Sequence, residues 1–225
     1  MVKSDLITRH PFGLQGDEPD ILSEGEFGAV LSRAGVGKTA LLVQLALNAM
    51  LRDRNVLHIS LNDPVDKITL WYKELFHHLT QRDAVEATGL LWESLLPHRF
   101  IMTFRIAGFS VPKLRERLVD LAEQNIFHPD VVIIDGLRFN ESIRECLTDL
   151  KTLAAEQSLQ IWFSVHTHRN EEEPHPLLGL EDLFDVALQL QPEGTNIRIQ
   201  PLKGPEDAVS GLSKLALDAS SMLIK

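Results

Sequence analysis

The chain has 225 residues, of which 44% are hydrophobic, and this is enough to bury one sizeable core. Its formal net charge of −10 argues against a surface built mainly to hold nucleic acid, because such affinity comes largely from clustered Lys and Arg. The apolar runs are shorter than the ~18 residues that a membrane-spanning helix needs. We therefore expect one soluble domain over residues 1–225, with 1–24 as a segment along its edge.

Cysteine usage and the first residues bear on the cellular compartment. Cys146 is the single cysteine, so an intramolecular disulfide is excluded. It falls within an amphipathic helical pattern, which is more typical of a small buried side chain than of a reactive thiol. The sequence begins without the apolar segment of a signal peptide, and we expect a cytoplasmic protein.

Apolar patterning predicts an alternation of strands and helices along the chain. Nearly continuous apolar or alternating runs predict strands over 27–31, 56–61, 99–105, 130–135 and 160–165. Apolar residues spaced by three or four predict helices over 40–52, from 64 to about 79, and over 84–96, 111–125 and 141–157. Short apolar segments at 187–190, 197–199, 215–217 and 222–224 predict late strands. The order indicates a three-layer α/β fold with a mostly parallel central sheet and a late antiparallel β extension.

The loop between the first strand and the first of these helices has the composition of a phosphate-binding loop. Its residues 32–39 read Ser-Arg-Ala-Gly-Val-Gly-Lys-Thr, which matches Gly-x-x-x-x-Gly-Lys-Ser/Thr except for Ser32 at the first position. A loop that enters a helix N-terminus directs several backbone N–H groups to one point, where the helix dipole also favours an anion. Lys38 adds a flexible cation and Thr39 a hydroxyl for Mg²⁺. The residues predicted to bind the nucleotide are Ala34, Gly35, Val36, Gly37, Lys38, Thr39 and Ala40.

A carboxylate closes the most strand-like run of the chain. Asp135 follows Val-Val-Ile-Ile, and Gly136 allows the chain to turn there. The carboxyl ends of parallel strands meet at one edge of a sheet, so Asp135 and Thr39 are predicted to share a Mg²⁺ site. A helix cap or a turn acid is the alternative for Asp135.

Together these motifs resemble the RecA/KaiC-like branch of P-loop ATPases, from about Gly25 to the C-terminus. The resemblance implies a RecA-like P-loop NTPase fold, ATP and Mg²⁺ as cofactors, and assembly of copies into a ring or filament with hydrolysis at subunit boundaries. It also implies that Lys38 and Thr39 hold the triphosphate and Mg²⁺, and that Asp135 holds the metal through water.

The resemblance further implies a general base at the end of the strand after the loop helix, usually a glutamate. Asn62 and Asp63 occupy this place, and Asn62 cannot take a proton. Asp63 is either the base or the N-cap of a helix whose first residue is Pro64. Slow hydrolysis follows as an expectation.

A polar residue that senses the γ-phosphate is implied at the end of the later strand, where His166 stands before Thr167. His166 and His168 share a side of an extended backbone, so a metal site is the alternative. The family also donates a Lys and an Arg to the neighbouring subunit. Lys203 aligns with that arginine and Pro201 with that lysine, and Lys203 alternatively begins an exposed turn.

Three functions remain open from the sequence. The first is a Mg²⁺-dependent ATPase that acts as a homo-oligomer, with Lys38, Asp63, Asp135 and His166 as catalytic candidates. The second is a slow or non-hydrolysing switch or scaffold that binds ATP or ADP and engages a protein partner. The third, disfavoured by the acidic charge, is a DNA recombinase or helicase paralogue.

Overall fold

The computed structural model describes residues 2–9, 21–81, 84–105, 108–140, 142–167 and 175–225. In these ranges the helices are Val2–Arg9 (α1), Lys38–Leu51 (α2), Val65–Thr80 (α3), Val85–Leu95 (α4), Val111–Glu123 (α5), Ile143–Glu156 (α6) and Glu206–Leu212 (α7). The strands are Phe27–Ser32 (β1), Val56–Ser60 (β2), Arg99–Thr103 (β3), Val131–Asp135 (β4), Gln160–His166 (β5), Val186–Glu193 (β6), Asn196–Lys203 (β7) and Ala216–Asp218 (β8).

The eight strands form one sheet in the order β3-β2-β4-β5-β1-β6-β7-β8. All pairs from β3 to β6 are parallel, whereas β7 pairs antiparallel with β6 and β8 antiparallel with β7. The predicted three-layer α/β P-loop NTPase fold, with a mostly parallel sheet and a late antiparallel extension, is confirmed. The order places β1 between β5 and β6, and β4 on the other side of β5.

Two apolar cores lie on opposite faces of the sheet. One core joins the sheet to α2, α3 and α4, and the other joins it to α5 and α6. Strands β1 and β2 are buried along their whole length, which explains why their sequences are apolar without alternation. Cys146 is half-buried against the second core, and burial raises the pKa of its thiol.

Three local predictions are wrong. Pro64, with an extended backbone, is the N-cap of α3, and the helix begins at Val65; Asp63 is therefore not the cap. The expected strand at 222–224 is reduced to one bridge between Leu217 and Ile224. Helices α1 and α7 were not predicted.

No helix within the described ranges is long and apolar enough to cross a lipid bilayer.

Candidate functional site

The turn from β1 into α2 leaves the N-terminus of the helix open to a ligand. Gly37 is the N-cap residue, and its positive φ of 107° is a conformation that favours glycine. No side chain of the described residues caps this end, so the first N–H groups of α2 retain their donor capacity. Gly35 also has a positive φ, and Val36 packs against the core beside it. Ala40, fully buried, anchors the first turn of the helix.

Lys38 lies across the loop rather than out in solvent. Its Nζ donates hydrogen bonds to the carbonyl oxygens of Ser32 at 2.8 Å and Arg33 at 2.9 Å, and to Ser32 Oγ at 3.3 Å. Burial lowers the pKa of the Lys38 ammonium, and the charge of Asp135 partly opposes this shift. The cation therefore lies at the centre of the loop, where phosphate oxygens can replace the carbonyl oxygens as acceptors.

Thr39 and Asp135 meet across the sheet edge. The Thr39 hydroxyl donates to Asp135 Oδ2 at 2.8 Å, although 96 residues separate the two in sequence. Mg²⁺ prefers hard oxygen ligands in a set of one or two carboxylates beside substrate phosphates and water. A hydroxyl and a carboxylate at this distance, next to the Lys38 ammonium, fit a Mg²⁺-polyphosphate ligand.

A cavity of about 560 Å³ opens beside this pair. Its walls come from the phosphate loop (Ala34 and Lys38), the segment after β2 (Asn62), the end of β4 with the residues that follow it (135–140), and the end of β5 (Ser164 and His166). The register explains the convergence, because Ser32 of β1 pairs with His166, and Ser60 of β2 pairs with Asp135. Three strand ends and the loop thus form one polar depression.

Asn62, rather than Asp63, faces this cavity. Asn62 packs on Gly136, where a Cβ atom would lie 2.8 Å from Asn62 Cγ. The Asp63 carboxylate is not part of the wall and accepts a hydrogen bond from Lys67 Nζ at 2.9 Å. Asp135 is the single carboxylate among the described residues that line the cavity.

The remaining predicted site residues lie at the end of β5 and in β7. His166 lies at the exposed end of β5 and lines the cavity, whereas His168 falls outside the described residues. Lys203 donates from Nζ to the Glu181 carbonyl at 2.9 Å within the same chain. Pro201 lies in β7 opposite Leu188.

Sequence reasoning missed Arg138, Phe139 and Asn140, which line the cavity after Gly136. The signal was available, since these residues follow the carboxyl end of a parallel strand, where ligand-binding groups gather in such sheets. Their alignment with the cavity depends on the turn at Gly136, whose φ is +95°. The sequence alone specifies that turn but not the direction in which the chain leaves it.

Comparison with protein families gives one decisive match. The model of the AAA domain family matches residues 18–172, which is more than half of the 225-residue chain. The chain belongs to this AAA domain family. The match spans β1 through β5 of this AAA domain and so includes the phosphate loop, Asp135 and His166. A search of curated proteins found no match. The predicted relationship to P-loop ATPases is confirmed by the family match, whereas membership of the RecA/KaiC-like branch stays a prediction.

Proposed function

We propose that this AAA domain binds MgATP at residues 34–40 and hydrolyses it slowly, in the manner of RecA/KaiC-like ATPases. The observation that carries the proposal is the hydrogen bond from Thr39 Oγ1 to Asp135 Oδ2 at 2.8 Å, beside the Lys38 ammonium. Cation, hydroxyl and carboxylate are the three groups that a Mg²⁺-triphosphate requires.

Each group has a separate role in the proposed complex. The N–H groups at the start of α2 and the Lys38 ammonium hold phosphate oxygens. Thr39 and Asp135 hold the metal, Asp135 through water. When bound, Mg²⁺ neutralises charge on the phosphates during transfer. His166 senses the terminal phosphate from the neighbouring strand, next to Ser32 of the phosphate loop.

Slow hydrolysis follows from what surrounds the phosphates. A general base must lie within hydrogen-bond reach of the attacking water or be connected to it by one further water. Asp63 is held by Lys67 outside the cavity wall, and the Asn62 amide accepts no proton. The exposed Asp63–Lys67 pair is worth little, about 0–1 kcal/mol, so a partner or a second copy that binds Lys67 would release Asp63 for this role.

A nucleotide-dependent switch is the second candidate function, and the position of the Asp63 carboxylate favours it. In this account ATP and ADP order the loops around the cavity and alter contacts with a protein partner, while turnover contributes little. Both candidates share the same nucleotide site. They differ in whether phosphate release accompanies the change of state.

We further propose that copies of the chain assemble into a ring or filament when ATP is bound. The family membership supports this proposal, whereas Lys203 is engaged within its own chain and contributes no free cation to a neighbour. The DNA-acting alternative has no support from charge, because the whole chain carries −10.

The experiment that separates these candidates measures molar mass and turnover in parallel. Light scattering is recorded without nucleotide, with MgADP and with a slowly hydrolysed ATP analogue, while phosphate release is followed from MgATP. The ATPase proposal predicts steady phosphate release and a larger mass with the analogue. The switch predicts a change of mass without release, and the absence of both responses would contradict the two candidates together.

A further inference from the structure

We propose that Arg138 contacts the terminal phosphate of a bound nucleoside triphosphate and lets the site distinguish a triphosphate from a diphosphate. The inference rests on the proposed function and adds to it a specificity-determining residue from the same chain. Its basis is the position of Arg138 in the wall of the 560 Å³ cavity, the contacts that hold its loop, and its lack of a partner among the described residues.

The surroundings of Gly37 and of Asp135 indicate where the outer phosphates of a bound polyphosphate would lie. On one side of Gly37 the space is closed by an apolar group, since a Cβ atom there would lie 3.4 Å from Met222 Sδ and 3.5 Å from Leu217 Cδ1. Lys38, the residue after Gly37, and Asp135 both line the open cavity. Thr39 and Asp135 would hold a metal that neutralises charge on the outer phosphates, and because Asp135 lines the cavity, those phosphates would lie at the cavity.

The loop that carries Arg138 is anchored at both ends. Gly136 N–H donates to Ser164 Oγ at 2.8 Å, and the Asn140 carbonyl accepts from Ile143 N–H at 3.0 Å at the start of α6. Phe139 packs on the second core, with ring centroids 6.3 Å from Phe163. Leu137, on the other side of Arg138, packs against the same core. Arg138 therefore lies between two residues that pack against the second core.

Arg138 has no protein partner in the part of the chain that the structure describes, unlike Arg144 and Arg115. Arg144 donates two hydrogen bonds to the Asp182 carboxylate, at 3.0 and 2.6 Å. Arg115 donates to Glu156 Oε2 at 2.5 Å. Arg138 has neither a hydrogen bond nor an ion pair among the described residues, although it borders a cavity with one carboxylate, Asp135, that already accepts from Thr39.

The chemistry of this arrangement suits a phosphate. A guanidinium is permanently charged and presents a planar set of donors that pairs with two phosphate oxygens at once. Lys38 and Arg138 together place two cations at the cavity of a chain whose net charge is −10. Lys38, at the loop, contacts the inner and outer phosphates, while Arg138, across the cavity, reaches the terminal one. A diphosphate leaves Arg138 without its acceptor.

The test compares the dissociation constants for MgADP and for a slowly hydrolysed MgATP analogue, measured by calorimetry. Arg138→Ala is expected to weaken binding of the analogue about 10-fold or more, and to leave binding of ADP within about 2-fold, because one charge-assisted contact is lost only from the triphosphate. The affinity of Arg138→Lys for the analogue is expected to lie between those of the unchanged chain and Arg138→Ala, because lysine keeps the positive charge but lacks the planar set of donors. Arg117→Ala, on the exposed face of α5, is the matched control.

The outcomes separate the inference from the function on which it rests. Equal weakening of both nucleotides, or no weakening of either, would overturn the role of Arg138 while leaving nucleotide binding in place. Failure of the unchanged chain to bind any nucleotide would overturn both. Thermal unfolding of each variant shows whether a loss of affinity comes from a loss of folded protein, and the Arg138→Lys variant gives the decisive comparison if Arg138→Ala does not fold.

Discussion

Thr39 Oγ1 donates a hydrogen bond to Asp135 Oδ2 at 2.8 Å, which joins the first turn of α2 to the end of β4. Removing the hydroxyl with Thr39→Val keeps the side-chain shape but takes away one oxygen from the proposed metal site. The ATP affinity gained on adding Mg²⁺ should fall about 10-fold or more, while the affinity in a chelator should change little. Calorimetry with and without Mg²⁺ measures this difference.

Thr152→Val is the matched control for Thr39→Val, because Thr152 is exposed on α6 and, among the described residues, its hydroxyl donates to the Thr148 carbonyl alone. A gain on adding Mg²⁺ that is the same in Thr39→Val and in the unchanged chain would contradict the metal site.

Asn62 lines the cavity beside Asp135, where the proposed hydrolysis needs a proton acceptor. Replacing it by Glu introduces a carboxylate at the cavity wall, and we expect ATP turnover to rise by about tenfold or more, since a placed general base contributes about 10²–10⁴-fold. Asn62→Gln lengthens the side chain equally without adding a base and should leave turnover low. Phosphate release at saturating MgATP tests both. If Asn62→Glu binds ATP normally but turns over no faster, the explanation for slow hydrolysis is wrong.

Gly136 permits the close approach of Asn62 and the turn toward Arg138. Gly136→Ala places a methyl group against the Asn62 amide in a backbone with φ of +95°, and should reduce the free energy of unfolding by about 1–3 kcal/mol. Gly89→Ala in α4 is the opposite case, because nothing lies within 4 Å of the added methyl group. That variant should be neutral or stabilising by up to about 1 kcal/mol. Urea unfolding that ranks the two variants in reverse order would contradict this interpretation.

His58 makes the stability of the fold depend on pH. It is fully buried, with Nδ1 3.1 Å from the Tyr72 hydroxyl, and burial lowers its pKa to about 4. The unfolded chain binds a proton near pH 6.5, whereas the folded chain binds it only near pH 4, so the stability is full above pH 6.5 and falls as the pH drops through this window.

The corresponding loss is about 3 kcal/mol between the two pH values. His58→Asn retains a polar atom near the Tyr72 hydroxyl but cannot titrate, and its unfolding free energy should fall less over the same range. Urea unfolding of both chains between pH 7 and pH 4 measures the difference. Parallel curves for the two chains would exclude His58 as the source.

The parallel sheet was predictable because strands that are buried on both faces have nearly continuous apolar sequences, as in Val131–Asp135. It failed where one tertiary contact overrode local pattern. Residues 222–224 look like a strand, but buried Gln44 accepts the Ile224 N–H at 2.9 Å and donates to the Met222 carbonyl at 2.8 Å. These bonds to α2 take the place of a strand ladder.

The candidate site likewise contains residues that the sequence could predict and residues whose positions depend on tertiary contacts. The proximity of Thr39 to Asp135 was predictable, because Thr39 belongs to a loop motif and Asp135 ends a strand, but the roles of both residues stay a prediction. Arg138 was not, since its position depends on Phe139 packing against the second core. Of the two roles predicted for Asp63, the helix cap is wrong, because Pro64 is the N-cap and the Asp63 carboxylate pairs with Lys67 four residues later.

The central claim, that the loop at residues 34–40 binds MgATP, is tested most directly by calorimetric titration of ATP into three proteins: the unchanged chain, Lys38→Ala and Lys214→Ala. Lys214 is exposed and does not line the cavity, so its loss should leave the affinity within about 2-fold. Lys38→Ala should lose about 10-fold or more, because the ammonium at the centre of the loop is removed. Equal ATP affinity in all three proteins would contradict the account.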